Sequence, residues 1–253
     1  MKILLTGANG YVGRRLLPEL LNQGHEIVCA VRDKMRLGFD SETLSLITVW
    51  EVDFLEEVRF ENCPKDIDIA YFLIHSMSSS IESFDKMEAK TANNFNQYSE
   101  YMNSKQVIYL SGIVNDPNLS KHMLSRNSVE KILFQGKPNL TVLKAGIIVG
   151  SGSSSFEIIR DLCEKLPIMI TPKWVLTKTQ PIAIRDVIQY LIGVQNRTDC
   201  FNQSFDIGGP NVITYKQMMQ LYAKTRNIKL AIVTVPIMTP KLRSEERRVG
   251  KEC

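Results

Sequence analysis

Thr6-Gly7-Ala8-Asn9-Gly10-Tyr11-Val12-Gly13 is the stretch that decides the fold. It follows an apolar run at Lys2–Thr6 and opens an amphipathic run at Tyr11–Gln23, so it joins a predicted strand to a predicted helix. The spacing G-x-x-G-x-x-G allows a tight turn, a close backbone approach to a ligand, and close packing of the helix on the strand. Free N–H groups at the positive end of the helix then form an anion site suited to a pyrophosphate.

The glycine triplet is weak evidence when it stands alone, because a strand–helix turn without a ligand can use the same residues. Here the strand, the loop, the helix and the N-terminal position agree, and together they favour a dinucleotide-binding site. The loop residues predicted to bind the cofactor are Gly7, Asn9, Gly10, Tyr11, Val12 and Gly13.

The end of the second predicted strand, His25–Val31, bears on the choice of cofactor. A carboxylate there would bind the ribose 2′-hydroxyl and favour NAD, whereas an arginine suits a 2′-phosphate. Arg32 therefore favours NADP(H), while Asp33, one residue later, keeps NAD(H) open. A solvated surface arginine is the alternative interpretation of Arg32.

Two further strand ends add candidates. Leu46–Val52 and Asp68–Ile74 are predicted as the third and fourth strands. Asp53-Phe54, after the third, is predicted to flank the adenine. Ile74-His75, at the end of the fourth, is expected near the ribose and the pyrophosphate.

The whole chain reads as strands alternating with helices, which predicts an α/β fold with a doubly wound parallel sheet, the Rossmann fold. Residues 1–150 are expected to form the nucleotide-binding core, with a single sixth strand over Leu140–Val149. Residues 151–242 are expected to supply the remaining elements and a small C-terminal substrate lobe, with Pro167–Pro181 irregular.

The final segment, Arg243–Cys253, has a composition unlike the rest and matches the translation of a sequencing adapter, so we expect it to be an artefact that truncates the natural chain. No signal peptide or membrane span is expected, which favours the cytoplasm. The 31 basic and 27 acidic residues are interspersed, so nucleic-acid binding is not expected. The five cysteines form no C-x-x-C pair, and no metal site is expected.

Several later motifs support a family resemblance, beginning with Tyr109-Leu110-Ser111-Gly112-Ile113 after the fifth predicted strand. The others are Leu143–Gly150, Gln180–Val187 and Phe205–Pro210. With the glycine motif, they make the chain resemble the atypical or extended short-chain dehydrogenases/reductases (SDRs), near the NmrA-like and complex I 39-kDa-subunit-like group. The resemblance covers about residues 1–242.

The resemblance implies a set of catalytic residues. Catalytic members of this family use a serine after the fifth strand and a Tyr-x-x-x-Lys pair on the next helix. Ser111 matches the serine, but His122 and Arg126 stand where the tyrosine and the lysine would fall. Histidine can exchange protons near neutral pH, whereas arginine can only bind or orient. A surface helix position is the alternative for His122. The backbone of Ala145-Gly146-Ile147 is expected to pass the nicotinamide.

Two functions follow from these residues. The first is an NAD(P)H-dependent oxidoreductase that reduces a small organic carbonyl or conjugated substrate by hydride transfer. The second, favoured by the missing Tyr-x-x-x-Lys pair, is a non-catalytic NADPH-binding redox sensor or assembly subunit, which would have a protein partner. The sequence does not identify the substrate.

Overall fold

A computed structural model of the chain describes residues 1–74, 81–113 and 121–235, with only the backbone described for residues 81–85 and 121–126. The chain divides into two compact units. The first unit contains Met1–Gly146 and Ile182–Ile207. The second contains Ile147–Pro181 and the described residues from Gly208 onward.

The secondary structure alternates between strands and helices. The strands are β1 (Lys2–Thr6), β2 (Glu26–Val31), β3 (Ile47–Glu51), β4 (Ile69–Phe72), β5 (Gln106–Gly112), β6 (Asn139–Ala145), β7 (Ile148–Val149), β8 (Ile168–Thr171), β9 (Lys178–Thr179), β10 (Ile182–Ala183), β11 (Gln203–Ile207), β12 (Ile213–Thr214) and β13 (Ala231–Thr234). The α-helices are α1 (Gly13–Asn22), α2 (Ser41–Ser45), α3 (Ile81–Tyr101), α4 (Lys121–Leu133), α5 (Ser154–Lys165), α6 (Ile184–Gly193) and α7 (Tyr215–Thr225).

The first unit is built on a seven-stranded sheet in the order β11-β6-β5-β4-β1-β2-β3. Every neighbouring pair in this sheet is parallel, as the near-continuous apolar runs predict. The predicted α/β class and parallel Rossmann sheet are therefore confirmed. Parallel strands end at one edge of the sheet, and the loops that follow β1 to β4 emerge together there.

Helices cover both faces of this sheet. On one face, Phe95 and Tyr98 of α3 pack with Leu4, Phe72 and Tyr109 of the strands in a single buried cluster. Trp50 and Phe54 belong to the same buried cluster as Phe95. The rings of Trp50 and Tyr98 form a T-shaped contact with 5.1 Å between their centroids.

The other face of the sheet carries α1 and α6. Tyr71 points to this side, since its neighbour Phe72 faces α3 and side chains alternate along a strand. The buried Tyr71 hydroxyl donates to Leu191 O of α6 at 2.9 Å and accepts from Gln195 Nε2 at 2.8 Å. These two bonds satisfy the buried hydroxyl group. Burial raises the pKa of the Tyr71 phenol above its ordinary value.

The second unit has its own small core. Strands β8 and β13 pair in parallel, and β9 pairs with β12 in antiparallel fashion. Helices α5 and α7 contribute Cys163, Met218 and Met219 to a buried cluster with Met169 and Val175. Helix α7 starts with a capping box between Thr214 and Gln217, in which each side chain bonds the other's backbone N–H.

Two local expectations were wrong. The stretch 167–181 is not irregular, since it contains β8, the 3₁₀ turn Lys173–Leu176 and β9. The expected sixth strand over Leu140–Val149 is two strands, because Gly146 and Ile147 interrupt it. Arg243–Cys253 lies outside the described residues. No helix in the described ranges is long and apolar enough to cross a membrane.

A buried amide holds three parts of the first unit together. Gln106, fully buried at the start of β5, donates from Nε2 to Thr141 Oγ1 and to Val194 O, both at 2.9 Å. Its Oε1 accepts from Asn196 N at 2.8 Å. One side chain thus joins β5, β6 and the end of α6, and its polar atoms are satisfied at both ends.

Replacing Gln106 with Leu should destabilise the first unit by about 2 kcal/mol, because the buried Val194 carbonyl and the Asn196 N–H lose their partner. Urea unfolding followed by circular dichroism measures the difference. Gln203→Leu, at an exposed position of β11, is the matched control and should change the free energy of unfolding by less than about 0.5 kcal/mol. Equal effects of the two variants would contradict a structural role for the Gln106 amide.

Candidate dinucleotide-binding site

The glycine loop between β1 and α1 is shaped by close backbone contacts. Gly7 has φ +66°, and a Cβ there would lie 2.7 Å from Leu73 O of the loop after β4. A Cβ on Gly13 would overlap Gly7 O and lie 2.8 Å from Ala8 Cα. Side chains are excluded at both positions, so helix α1 can approach the end of β1 closely.

Gly10 differs from these two glycines. It is exposed, and a Cβ there would meet only Gly7 O, at 3.1 Å. The hydrogen bonds of the first helical turn begin with Arg14 N, which donates to Gly10 O at 3.0 Å. Among the described residues, the N–H groups of Val12 and Gly13 therefore remain unused by the helix, at its positive end. An anion placed above Gly10 would meet both.

A cavity of about 620 Å³ opens beside this loop, at the edge where the first four strands end. It collects residues from four successive strand ends and from α3. Those predicted from the sequence are Gly7, Asn9, Gly10, Arg32, Asp53, Phe54 and Ile74. Those that complete the lining are Ala30, Val31, Asp33, Arg36, Val52, Leu55, Leu73, Met87 and Thr91.

Two arginines and one aspartate stand at the end of β2. The Asp33 carboxylate caps the 3₁₀ turn Lys34–Arg36, accepting from Met35 N at 2.9 Å, and its other oxygen lies 3.3 Å from Arg36 Nε. The carboxylate is therefore already engaged by its own turn. Arg32 is exposed and has no hydrogen bond or ion pair with any described residue. Arg32 and Arg36 both line the cavity.

The loop after β3 is held in place by α3. Asp53 Oδ1 accepts from Leu55 N at 2.9 Å, and Asp53 lines the cavity. Buried Asn94 of α3 donates from Nδ2 to Phe54 O and to Glu56 O, both at 2.8 Å. Buried Thr6 similarly fixes β4 against β1, donating to Tyr71 O at 2.9 Å and accepting from Leu73 N at 3.0 Å.

Ser111, the expected catalytic serine, is not among the residues that line this cavity. Ser111 is buried near the end of β5, in register with Lys144 of β6. Paired residues of neighbouring strands leave the same face of a sheet, and Lys144 Nζ lies 3.0 Å from Glu130 Oε1 of α4. Ser111 is thus on the face that α4 covers.

Other predicted residues are not brought to the cavity lining. Positions 122 and 126 belong to α4, but the side chains of His122 and Arg126 lie outside the described residues, as does the whole of His75. Tyr11 and Val12 are half-buried in the glycine loop. Ala145 is buried and accepts from Ile113 N at 3.0 Å. Gly146 is the last residue of the first segment of the first unit, and the second unit begins at Ile147.

Comparison with known proteins decides the family. A family model described as NAD(P)H-binding matches residues 7–139, which include the glycine loop and all the residues that line the cavity. The chain belongs to this NAD(P)H-binding family. The resemblance to the extended or atypical SDR proteins agrees with this family, and solved structures of SDR proteins share the fold.

Three proteins show how this NAD(P)H-binding chain relates to known ones. It is 21% identical over 255 residues to divinyl chlorophyllide a 8-vinyl-reductase, chloroplastic, of Arabidopsis thaliana. That alignment covers 94% of this chain and 60% of the relative, so the chain spans less than two thirds of the relative's length.

The other two are solved structures. A nucleoside-diphosphate-sugar epimerase from Staphylococcus aureus has TM-score 0.77 at 13% identity, covering 100% of this chain and 85% of that one. An SDR superfamily protein from Agrobacterium tumefaciens, with bound NAD, has TM-score 0.73 at 12% identity, covering 93% and 85%. At these identities the two structures show the shared fold.

The residues fit a dinucleotide cofactor. A glycine loop with unused N–H groups suits the pyrophosphate, and a cavity of about 620 Å³ extends from it past Asp53 and the arginines of the second strand end. Gly10, the second glycine of the motif, carries no side chain that would keep a phosphate away from the backbone of the loop.

Sequence reasoning missed Arg36, Asn94, Met87 and Thr91. Arg36 follows Arg32 by one turn, and the Arg32-Asp33-Lys34-Met35-Arg36 run was a signal that could have found it. The other three lie on α3, far along the chain from the glycine loop. Nothing in the α3 sequence separates an asparagine that holds a loop from one that faces solvent.

We expect Gly10→Ala to fold with a smaller loss of thermal stability than Gly13→Ala, since its Cβ lies 3.1 Å from Gly7 O, while its affinity for NADPH and NADH falls about tenfold or more, since a side chain in the loop hinders the approach of the phosphate. Calorimetric titration and thermal unfolding measure the two effects. Gly13→Ala is the contrasting variant, and it should lose about 3 kcal/mol of stability because its Cβ overlaps Gly7 O. Wild-type affinity in Gly10→Ala would argue against a phosphate site at this loop.

Proposed function

We propose that this chain is an NADPH-preferring oxidoreductase that reduces a small organic carbonyl or conjugated substrate by hydride transfer. The observation that carries the proposal is the cavity beside the glycine loop, which Arg32 and Arg36 both line after the end of β2. The family match supports the cofactor class, and the charges at this strand end support the choice within it.

The preference for NADPH rests on which charged groups are available. Asp33, the residue that could bind a ribose 2′-hydroxyl, already caps a turn and pairs with Arg36. Arg32 has no acidic partner among the described residues. A 2′-phosphate would accept charge-assisted hydrogen bonds from guanidinium groups at this edge of the cavity. A 2′-hydroxyl would leave Arg32 without an anion, whereas Arg36 already has the Asp33 carboxylate. NAD(H) is the alternative, and the Agrobacterium neighbour has NAD bound.

The proposed chemistry uses three residues of this chain. The reduced nicotinamide, when bound, supplies a hydride to the substrate and becomes oxidised. Ser111 donates a hydrogen bond to the substrate oxygen, His122 delivers the proton that balances the hydride, and Arg126 holds the substrate or the ribose. The covering of the Ser111 face by α4 supports this arrangement. Positions 122 and 126 precede Glu130 by two turns and one turn, a spacing that falls on one side of a helix.

The class of substrate follows from the same chemistry. A proton donor beside a hydride donor suits a polarised double bond, either a carbonyl or a carbon–carbon bond conjugated to one. The Arabidopsis relative is named as a vinyl reductase, which supports the conjugated class as the one to test first.

The second candidate function is a non-catalytic NADPH-binding sensor or assembly subunit. The specific observation in its favour is the replacement of Tyr-x-x-x-Lys by His122 and Arg126. A protein of this kind would bind the dinucleotide at the same cavity and turn nothing over.

Removing either arginine should separate the two cofactors. In Arg32→Ala and in Arg36→Ala, we expect the Kd for NADPH to rise about tenfold and the Kd for NADH to change little, since only NADPH loses a charge-assisted hydrogen bond. Lys34→Ala removes the same charge from a neighbouring residue that pairs with Glu51 and does not line the cavity, and it should leave both Kd values nearly unchanged. Parallel losses of NADPH and NADH affinity would contradict the proposed preference.

The catalytic assignment is tested by NADPH oxidation on a panel of carbonyl and conjugated compounds. Ser111→Ala and His122→Ala should each slow turnover about a hundredfold with little change in the Kd for NADPH, because both act on the reacting substrate. Unchanged rates in both variants would remove them from the mechanism. Tight NADPH binding by the wild-type protein without turnover of any compound would favour the sensor instead.

A further inference from the structure

Arg14, on the first turn of α1, connects two loops of the candidate cofactor site. Its Nε donates to Asn9 O at 3.2 Å, in the glycine loop. Its Nη2 donates to Leu37 O at 2.8 Å and its Nη1 to Gly38 O at 3.3 Å, both just after the 3₁₀ turn that carries Arg36. One guanidinium therefore donates to three main-chain oxygens on two separate segments.

The segment after β2 is adapted to receive this side chain. Leu37 is buried, with an exposed fraction of 1%, and anchors the segment in the core. Gly38 has φ +59°, and a Cβ there would lie 2.8 Å from Arg14 Nη2. The ring of Phe39 lies 5.3 Å from the Arg14 guanidinium carbon, a cation–π distance. Three consecutive residues thus accommodate one arginine head group.

Arg14 does not itself line the cavity, although Asn9 on one side of its bridge and Arg36 on the other both do. The glycine loop keeps its own turn without Arg14, through the bond from Gly10 N to Gly7 O at 2.9 Å. The segment Lys34–Gly38 is exposed over most of its length. Its bonds to described residues include the Asp33 cap, the bond from the Lys34 backbone N–H to Glu51 Oε1, and the two Arg14 bonds to Leu37 O and Gly38 O. Buried Leu37 keeps the end of the segment in the core, so losing Arg14 should loosen the exposed arginine-bearing turn before it more than the pyrophosphate loop.

We propose that Arg14 is a positioning residue that sets the discrimination between NADPH and NADH, by holding the turn that carries Arg36 at a fixed distance from the phosphate loop. This inference rests on the proposed function, and it concerns what sets the relative affinity of that same site for NADPH and NADH. Arg32 and Arg36 can share a 2′-phosphate productively only when they are held at the right distance from the pyrophosphate, because both anions are attached to the same ribose of one ligand. A purely structural role for Arg14 would affect both cofactors alike.

The decisive measurement compares NADPH with NADH, and 2′,5′-ADP with AMP, by calorimetric titration of Arg14→Met. We expect the affinity for NADPH and for 2′,5′-ADP to fall about tenfold, with less than about a twofold change for NADH and AMP. Arg197→Met is the matched control, because it removes the same charge from an exposed arginine that pairs with Asp199 far along the chain. It should leave all four affinities as in the wild type.

Gly38→Ala provides an independent variant that keeps Arg14. Its Cβ would displace the guanidinium, and so it should shift the NADPH to NADH ratio in the same direction. Thermal unfolding of each variant shows that the folded protein is being titrated. Unchanged ratios in both variants, or equal losses for both cofactors, would overturn the role of Arg14 while leaving the proposed function standing. Failure of the wild-type protein to prefer NADPH would overturn the proposed cofactor preference and the role of Arg14 together.

Discussion

The contact between helix α1 and the end of strand β1 is the constraint on which the rest of the first unit depends. Gly13 and Gly7 touch through backbone atoms, and no Cβ fits between them. This contact lets the first turn of α1 point its unused N–H groups at the edge of the sheet. A larger residue at either position would push the helix away, and the anion site would lose its geometry before any ligand arrived.

The proposed adenosine end of the site depends on which charged side chains are bonded to protein groups and which are left for a ligand. Asp33 and Arg32 are neighbours in sequence, yet the turn takes up the carboxylate and leaves the guanidinium exposed. Arg36 adds a second positive charge at this edge, because the 3₁₀ turn Lys34–Arg36 places it at the same cavity. The proposed preference for NADPH and the role of Arg14 both follow from that arrangement, since each concerns where this turn sits.

The reaction side of the molecule has a different kind of support. Ser111 lies on the sheet face that α4 covers, and the partly buried ion pair of Lys144 with Glu130 ties β6 to that helix. Such a pair contributes only modestly to stability, but it shows which side of α4 faces the sheet. The proposed proton donor is therefore placed by a helix whose register is set by packing.

The sequence by itself determined the parallel α/β fold through alternating apolar and amphipathic runs, and the glycine loop through the strand, turn and helix that follow one another within Lys2–Gln23. It also indicated Arg32, Asp53, Phe54 and Ile74, since strand ends of a parallel sheet meet at one edge. It failed at Pro167–Pro181, where Ile168 forms a strand only because Ala231 pairs with it from a distant part of the chain.

Only the tertiary structure decided which distant side chains complete the site. Asn94 holds the loop at Phe54, and Arg14 reaches Leu37, through bonds between segments that no periodicity relates. Tertiary structure also decided that Asp33 is occupied by its own turn, which the sequence left open. The physical reason is the same in each case: a hydrogen bond across the fold depends on where two backbones meet, and that is fixed by packing of the whole sheet and its helices.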